Sequence, residues 1–376
     1  MPDKPSINTP AVPLTRPWLG AEEQAAVAAV LGSGMLVQGA EVAAFEGALA
    51  ELTGRAHAIA VSNGTSALLL ALEAAGVGPG DGVLCPDLTW PSPAHAITLL
   101  GAEPQLVAVD ADEWNAGPEA FAAARDGRSK AAIAIDQFGN PARAEAIAEA
   151  LPGLTLIVDA ACSLGSELGG GPCGRFGTIA CSSFHPRKVI TTGEGGVCLT
   201  DDPELAQRLR ILRNHGQRGP GDFARAAGNH RLTEFAAAIG RVQLLRLPEI
   251  VARRRALAER YLNELPALGL QPQRAAPDAR PNHQTFGVLL PPGRGAAERA
   301  ALVAALAERG VQSGLLSYAL HQLPQFAAAA ERARQRGIEL STSASIALRG
   351  LSLPLFPTMD NAQQQMVVDA LADLLP

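Results

Sequence analysis

Lysine is scarce in this sequence, although positive charge is not. The chain has 376 residues and 31 basic side chains, of which only three are lysine: Lys4, Lys130 and Lys188. A lysine amine can lose its proton and act as a nucleophile, whereas an arginine guanidinium cannot. Because arginine supplies nearly all of the general positive charge, a lysine that lies inside a motif is a candidate for chemistry.

Cysteine is also sparse, and its pattern excludes two kinds of site. The five cysteines are an odd number and include no C-x-x-C pair: Cys85, Cys162, Cys173, Cys181 and Cys198. This pattern argues against a disulfide framework and against a zinc site. We therefore predict a protein of the reducing cytoplasm that binds no metal.

Apolar runs of membrane-spanning length are missing. The first residues, MPDKPSINTPAVPLTRP, have no apolar core of signal-peptide length, so we expect no export signal. The longest charge-free apolar stretch, around Ala56–Leu72, is interrupted by Ser62–Ser66 and falls short of the ~20 apolar residues of a membrane span. We expect no association with a membrane.

A net positive charge is absent as well. The formal net charge is −6 and the pI about 5.7, so no global positive field exists to hold nucleic acid, and a phosphate on a ligand must be bound locally. Hydrophobic residues at 47% and charged residues at 18% are typical of a soluble globular enzyme and exclude disorder as the main state. The length predicts one large and one smaller domain.

Short apolar runs alternate with alanine-rich helical stretches through the first two thirds of the chain. The predicted strands are His57–Val61, Gly82–Cys85, Gln105–Val109, Ala131–Ile135, Leu154–Val158 and Thr178–Ser182. The predicted helices between them are Ser66–Ala75, Ser92–Leu100, Pro118–Arg125 and Arg143–Ala150. This alternation predicts the α/β class, with a mostly parallel sheet and helices on both faces. Ligands of such sheets bind at the carboxyl ends of the strands.

The pattern changes near Pro248. A long basic helix is predicted over Ile250–Leu265, a strand over Thr285–Leu290, and helices over Glu298–Arg309 and Gln363–Leu374. This segment is typical of a smaller α+β domain. We predict a large domain over residues 1–247 and a small domain over 248–376.

Two strand ends could hold parts of a charged ligand. Ser62–Ser66 joins a strand to a helix; Gly64 allows a tight turn, and Thr65 and Ser66 lie where helix N-terminal amides bind a phosphate-sized anion. Asp159 ends the apolar strand that begins at Leu154, and a carboxylate at this position can pair with a cationic ring nitrogen. Taken singly, either feature can also be an ordinary helix cap.

The segment SSFHPRKVITTGEGG, residues 182–196, places Lys188 in a turn between two apolar runs. Partial burial or the neighbouring Arg187 can lower the pKa of its amine, and a neutral amine can form a Schiff base with an aldehyde. The alternative is a solvated surface lysine, which the scarcity of lysine disfavours. Trp90 follows another strand and can stack on a planar ring, or can simply pack in the core.

One ligand accounts for these features together. Pyridoxal 5′-phosphate (PLP) requires a lysine for its aldehyde, an aspartate for its ring nitrogen, a helix N-terminus for its phosphate and an aromatic side chain for its ring face. We predict PLP as the cofactor.

The chain resembles the DegT/StrS-type, PLP-dependent sugar aminotransferases of fold type I. The resemblance extends from about Pro13 to near the C-terminus and rests on five motifs: SNGTSAL (62–68), GVGPGD (76–81), SFHPRKVITTGEGG (183–196), RNHG (213–216) and LSLPLFP (351–357). SFHPRKVITTGEGG is the most specific of them.

The resemblance implies roles for individual residues. Lys188 matches the lysine that bonds to the cofactor, and Asp159 the partner of its ring nitrogen. Trp90 matches the aromatic residue stacked on the ring. Thr65, Ser66 and Ser183 match the phosphate-binding positions, and Gly64 is expected to contribute to cofactor binding beside them. Asn229 matches an asparagine that reaches the phosphate of the neighbouring subunit, which implies a homodimer with shared active sites.

Several positions depart from the family pattern. Cys162 stands where Gln or His usually touches the cofactor's 3′-oxygen, and a thiol is a weaker hydrogen-bond donor than either. The family motif Tyr-Pro-x-Pro-Leu-His is reduced here to Tyr318-Ala319-Leu320-His321. Candidate substrate-binding residues are His185, His215, Tyr318 and His321, although the first two can also serve only to brace their loops.

The resemblance implies an aminotransferase that moves an amino group from an amino acid, L-glutamate first among them, to a keto-sugar linked to a nucleotide, in amino-sugar biosynthesis. One alternative is the same reaction on a cyclitol or another non-nucleotide ketone. A second is sugar dehydration, which Lys188 disfavours because family members that dehydrate carry His at that position. A third is a non-catalytic regulatory homologue that keeps the PLP site.

Overall fold

The computed structural model describes residues 11–375, so Lys4 lies outside the described residues. The α-helices of this part of the chain are α1 (Ala21–Ser33), α2 (Ala40–Thr53), α3 (Gly64–Ala74), α4 (Ser92–Leu99), α5 (Pro118–Ala124), α6 (Ala144–Ala150), α7 (Pro203–Arg213), α8 (Glu234–Glu264), α9 (Ala296–Glu308), α10 (Ala327–Gln335), α11 (Ser341–Arg349) and α12 (Asn361–Leu374). The strands are β1 (His57–Val61), β2 (Gly82–Pro86), β3 (Leu88–Thr89), β4 (Glu103–Val107), β5 (Ser129–Ile135), β6 (Thr155–Asp159), β7 (Glu167–Leu168), β8 (Gly171–Pro172), β9 (Ile179–Ser183), β10 (Gly196–Thr200), β11 (Gln217–Gly219), β12 (Asp222–Phe223), β13 (Gln271–Pro272), β14 (Ala279–Arg280), β15 (Phe286–Leu289), β16 (Gly314–Leu315), β17 (Tyr318–Ala319) and β18 (Gly350–Leu353).

A seven-stranded sheet forms the centre of the molecule, in the order β1-β10-β9-β6-β5-β2-β4. Strands β9, β6, β5, β2 and β4 pair in parallel, while β10 runs antiparallel to both of its neighbours. The predicted α/β class with a mostly parallel sheet is therefore confirmed. The six predicted strands agree with the structure to within two residues, but β10 was not predicted.

Apolar side chains cover both faces of this sheet. Along β1, Ile59 and Val61 pack in one hydrophobic cluster with α3, α4 and α7, while Ala58 and Ala60 pack in another with α2, α5 and α8. Side chains alternate between the two faces of a strand, so a strand buried on both faces carries apolar residues at every position. This is why the central strands have continuous apolar sequences.

Helix α8 differs from its prediction. It begins at Glu234 rather than near Ile250, and it continues through Pro248. Proline removes one helical hydrogen bond, and the helix was predicted to begin only after Pro248. Leu247 and Ile250 lie on either side of it and are both buried in the core, so packing offsets the loss. At 31 residues the helix is about 46 Å long, and it crosses the predicted domain boundary at 247/248, which stays a prediction.

A second sheet, β13-β15-β18-β16, packs with α9, α12 and the end of α8 around a third cluster. The predicted strand and two helices of this region are confirmed within two residues at each end. Val12, far away in the sequence, is buried in the same cluster and pairs with Val311. The N-terminal segment thus contacts the region formed by the last third of the chain.

Arg254 connects α8 to this second region. Its guanidinium is buried and donates hydrogen bonds to four backbone carbonyls, those of Asn282, His283, Gln284 and Leu355. None of these partners is a carboxylate, and burial lowers the pKa of Arg254 to about 9. The guanidinium of Arg254 therefore supplies hydrogen-bond donors to four backbone carbonyls that would otherwise lack them.

None of the helices in residues 11–375 has the length and apolar character needed to cross a membrane. All five cysteines are free, and four of them are buried. Cys85, Cys181 and Cys198 pack among the apolar side chains of one sheet face.

Candidate active site

Two parallel strands place an acidic and a hydroxyl side chain at one edge of the central sheet. Asp159 is the last residue of β6 and Ser183 the last residue of β9, which pairs with β6 in parallel. Lys188 lies in the turn that follows β9, and its backbone N–H donates to the carbonyl of His185. The carboxyl ends of neighbouring parallel strands share one edge, so three predicted site residues lie on the same side of the sheet.

The amine of Lys188 is half-buried and lies 3.3 Å from the thiol of Cys162. It is also near enough to Asp159 for its charge to favour the ionised carboxylate. Burial acts in the opposite direction and is the larger effect, so the pKa of Asp159 is raised. The lysine, the thiol and the aspartate thus form one cluster.

Asp159 is held from one side only. Its Oδ1 accepts the backbone N–H of Ala161 at 3.0 Å. No group of residues 11–375 donates a hydrogen bond to Oδ2. Oδ2 is therefore open to a donor from a bound molecule, and an N–H donor on a bound ring would lower the pKa that burial raises.

The N-terminus of α3 lies against the end of β9. A Cβ atom on Gly64 would come within 2.7 Å of the Cβ of Ser183, so only glycine permits this contact. Asn63 caps the helix by accepting the N–H of Ser66 at 2.7 Å. The N–H groups of Gly64 and Thr65 meet no acceptor within the part of the chain that the structure describes. Two free amides beside a serine hydroxyl fit a phosphate.

Hydroxyl groups surround this helix N-terminus. The Thr65 hydroxyl bonds to that of Ser92 at 2.8 Å. The Ser66 hydroxyl bonds to Ser62 and to Nδ1 of His230, each at 3.1 Å. Burial lowers the pKa of His230. The structure therefore adds Ser92 and His230 to the residues singled out from the sequence.

Trp90 is 63% exposed, and its ring contacts the edge of Tyr318 at a centroid distance of 5.6 Å. The contact follows from the pairing of β3 with β17, in which Tyr318 stands opposite Thr89. His321 follows in the same segment, and its Nδ1 lies 2.6 Å from Oδ2 of Asp87. The predicted aromatic residue and two predicted substrate residues thus lie together.

The other predicted residues lie in two loops. His185 accepts the N–H of Arg187 through Nδ1 at 3.1 Å, and burial lowers its pKa. The backbone N–H of His215 donates to the carbonyl of Gly228 at 2.8 Å. Asn229 forms a bridge with Asn214, and its side chain is exposed. The structure does not bring Asn229 into contact with Ser183 or Lys188 of the same chain.

Two further aspartates were missed by the sequence analysis. Asp87 follows β2 and Asp136 follows β5, and both are buried. Asp136 accepts the hydroxyl of Ser163 and the N–H of Ala142, while burial, reinforced by the charge of Asp159, raises its pKa to about 7. Their position after a strand, the same signal that singled out Asp159, could have found them.

Residues 11–375 contain no cluster of three or more metal-ligating side chains.

Comparison with known proteins identifies the family. The family model for the DegT/DnrJ/EryC1/StrS aminotransferase family matches residues 17–372. The chain belongs to this family. The predicted resemblance is therefore confirmed.

Solved structures of the same fold cover nearly the whole chain. DesV of S. venezuelae is 33% identical over 97% of this chain and 98% of its own, with a TM-score of 0.88. The aminotransferase TlmJ from Streptoalloteichus hindustanus is 31% identical over 97% and 98%, also with a TM-score of 0.88. 3-Amino-5-hydroxybenzoic acid synthase is 30% identical over 97% and 99%, with a TM-score of 0.90.

As a member of the DegT/DnrJ/EryC1/StrS family, the chain is a PLP-dependent aminotransferase. The observed groups fit this cofactor. The free amides of α3 suit its phosphate, Oδ2 of Asp159 suits a protonated ring nitrogen, and the Lys188 amine suits its aldehyde. The predictions of cofactor, enzyme class and fold type are confirmed.

Proposed function

We propose that this enzyme moves an amino group from L-glutamate to a nucleotide-linked keto-sugar in amino-sugar biosynthesis. The observation that carries the reaction class is the meeting of Lys188, Asp159 and the α3 N-terminus at one edge of the sheet. The sequence resemblance to sugar aminotransferases supports the acceptor. The five free cysteines support a cytoplasmic location.

PLP supplies an aldehyde that takes up the amino group and a ring that accepts electrons from the donor's α-carbon. The amides of Gly64 and Thr65, with the hydroxyl of Ser183, bind its phosphate. Asp159 keeps a proton on the ring nitrogen by ion pairing in a buried site. Lys188 would hold the cofactor at its aldehyde, and its amine would move a proton from the donor's α-carbon as general base and acid.

Cys162 is proposed to lie beside the cofactor's 3′-oxygen. The basis is its 3.3 Å contact with the Lys188 amine, together with the position of this residue in the family pattern. A thiol is a weak donor, so Cys162 contributes less to cofactor binding than Asp159 or the phosphate-binding groups.

We propose a homodimer with shared active sites. Asn229 is exposed in the single chain, as a residue that acts on a neighbouring subunit must be. Leu36, Val37 and Phe235 are exposed apolar residues on adjoining segments, because Val37 pairs with Thr233 at the start of α8. A second copy of the chain is the expected occupant of this apolar surface.

A second acceptor class has support of its own. The relative that is 30% identical is named for an aromatic product, 3-amino-5-hydroxybenzoic acid, so this fold also serves non-nucleotide substrates. The segment 318–321 lacks the prolines of the family motif. A cyclitol or another non-nucleotide ketone is therefore the alternative acceptor.

The experiment is a screen of acceptors. The purified enzyme is loaded with amino groups from glutamate, and nucleotide-linked keto-sugars, free keto-sugars and cyclitol ketones are added one by one. Return of the cofactor's original absorbance reports transfer. We expect transfer to a nucleotide-linked keto-sugar; transfer only to a free ketone would instead support the alternative.

Lys188→Ala is the control for this screen. It should still bind PLP non-covalently but show no absorbance change with glutamate or any ketone. Borohydride reduction of the parent enzyme should attach the cofactor to Lys188, and an adduct at Lys130 or Lys4 would contradict the assignment. Lys130→Ala, an exposed lysine, should behave like the parent.

A further inference from the structure

Asp87 is a fully buried carboxylate at the ligand edge of the sheet. It follows β2, which pairs with β5, and β5 pairs in turn with β6, the strand that ends in Asp159. Asp87 and Asp159 both lie near enough to Cys85 on β2 to add to the effect of burial in raising its pKa. Asp87 is therefore part of the same edge as the proposed catalytic groups.

Both carboxylate oxygens of Asp87 bond to one residue, His321, which is 234 positions away in the sequence. Oδ1 accepts the backbone N–H of His321 at 2.8 Å, and Oδ2 lies 2.6 Å from its Nδ1. The carbonyl of Asp87 also accepts the N–H of Leu320 at 2.8 Å. Together with the pairing of β3 and β17, these bonds fix the segment 318–321 to the end of β2.

This geometry decides what the imidazole of His321 can do. Nδ1 carries a proton toward Oδ2, so the remaining nitrogen, Nε2, is left for another partner. Nε2 bonds to no group among the described residues, and the side chain stays partly exposed. Hydrogen bonding to Asp87 raises the pKa of His321 and so favours the imidazolium, in which Nε2 is a donor.

No other charged group competes for this imidazole in the elements packed around it. Helix α10 packs against the turn that contains His321, but its Glu331 pairs with Arg334 and its Arg332 pairs with Glu103. His95 on α4 faces the ring of Phe326. Asp87 is thus the group that sets the charge of His321 within residues 11–375.

We propose that Asp87 is a positioning residue that holds His321 as a donor to an anionic oxygen of the amino acceptor, beside Trp90 and Tyr318. The inference rests on the proposed function, since it concerns the acceptor half-reaction. An anionic oxygen is favoured because an imidazolium N–H forms its strongest hydrogen bonds with charged oxygens. The oxygen belongs to a phosphate or to a carboxylate, and the test separates the two.

The first measurement is the titration of His321, which requires no acceptor. The holoenzyme is labelled with ¹⁵N-histidine, and the His321 signal is assigned by its loss in His321→Gln. In Asp87→Asn the midpoint should fall by about one pH unit or more, whereas it should stay unchanged in Asp222→Asn, a carboxylate exposed on the surface. An unchanged midpoint in Asp87→Asn overturns the proposal.

The second measurement separates the two half-reactions. Asp87→Asn and His321→Gln should raise the KM for an anionic acceptor at least about tenfold and leave the glutamate half-reaction nearly unchanged. In the parent the acceptor KM should rise at pH values above the His321 midpoint, and in Asp87→Asn this rise should begin at lower pH. Equal damage to both half-reactions, or to uncharged and anionic acceptors, overturns the proposal.

The third measurement identifies the class of anion that His321 binds. It requires no turnover, so it tests the proposal even if the enzyme acts on none of the ketones. Uridine diphosphate and benzoate are added separately to the labelled holoenzyme. A shift of the His321 signal with uridine diphosphate indicates a phosphate, and a shift with benzoate a carboxylate. No shift with either anion overturns the proposal, whereas a shift without turnover of any ketone contradicts only the proposed acceptor class.

Discussion

Three aspartates lie at or directly after the ends of neighbouring strands of the central sheet, yet each has a different environment. Asp159 faces a lysine amine, Asp87 a histidine, and Asp136 a hydroxyl and a backbone amide. A carboxylate's charge depends on such partners as much as on burial. Each residue therefore has its own expected response to substitution.

Asp159→Asn should keep the fold and lose most of the rate. The side chains are nearly isosteric, but an amide cannot stabilise a protonated ring nitrogen by its charge. A charged hydrogen bond is worth about 1.5–3 kcal/mol, which corresponds to a loss of roughly 10- to 150-fold. Single-turnover kinetics of the glutamate half-reaction measure this, and a rate within a factor of two of the parent would refute the role of Asp159.

Asp136→Asn should change how stability depends on pH. The pKa of Asp136 is about 7 in the folded protein, mainly because of burial, and close to 4 in an unfolded chain. Between these values the folded state retains a proton that the unfolded state has lost, so the free energy of unfolding falls as pH rises, by up to about 4 kcal/mol.

The variant has no carboxyl group to titrate at this position. Its free energy of unfolding, measured in urea, should fall less than that of the parent between pH 5 and pH 8. If the free energy of unfolding changed with pH in the same way for both proteins, the pKa of Asp136 would not be raised in the folded state, which would contradict this prediction.

The sequence singled out Lys188 and Asp159 as candidates because both stand next to apolar runs that predict strands. Asp87 has the same local signal, but its partner His321 is 234 residues away. No local pattern reports a contact of that separation, so the pair emerges only when β3 meets β17. His230 was missed for the same reason, since its contact with Ser66 depends on the folded loop.

At the scale of elements, losing the buried hydrogen bonds of Arg254 should lower the free energy of unfolding far more than losing an exposed ion pair. Arg254→Met removes the donor of four buried carbonyls and should lower the free energy of unfolding by about 3–5 kcal/mol. Arg241→Met on the same helix breaks only an exposed pair with Glu41 and should cost about 0–1 kcal/mol. Urea denaturation of the holoenzyme compares them, and equal costs would contradict this account.

The predicted and observed elements agree where a single local pattern decides the structure. The strands buried on both faces have continuous apolar sequences, and α9 and α12 have clear ends. The predicted helix began after Pro248, where local propensity opposes a helix, whereas the packing of Leu247 and Ile250 supports one through this residue. Strand β10 was missed because Gly196–Thr200 begins with a glycine and directly follows a glycine-rich turn, which weakens the local signal for a strand.

At the scale of the whole molecule, the proposed homodimer with shared active sites predicts complementation. Lys188→Ala and Asn229→Ala chains should each be inactive alone, because one lacks the amine and the other the group proposed to reach the partner's phosphate. When the two variants are mixed in equal amounts and their subunits exchange, half of the dimers are heterodimers, and each of these has one intact site of two. About a quarter of the parent activity should therefore return. Activity assays and sedimentation measure both properties; full activity of Asn229→Ala, or a stable active monomer, would contradict shared sites.

The contact of the N-terminal segment with the far end of the chain has a consequence for synthesis. Leu14 and Gln312, joined by a hydrogen bond, are 298 residues apart, and Val12 is buried beside Val311. A ribosome adds about 5–20 residues per second, so about 15–60 s pass before Val12 can meet its partner. During that interval Val12 lacks the partners that bury it in the complete fold. The seven-stranded sheet is translated well before this contact becomes available, so the N-terminal segment is expected to settle last.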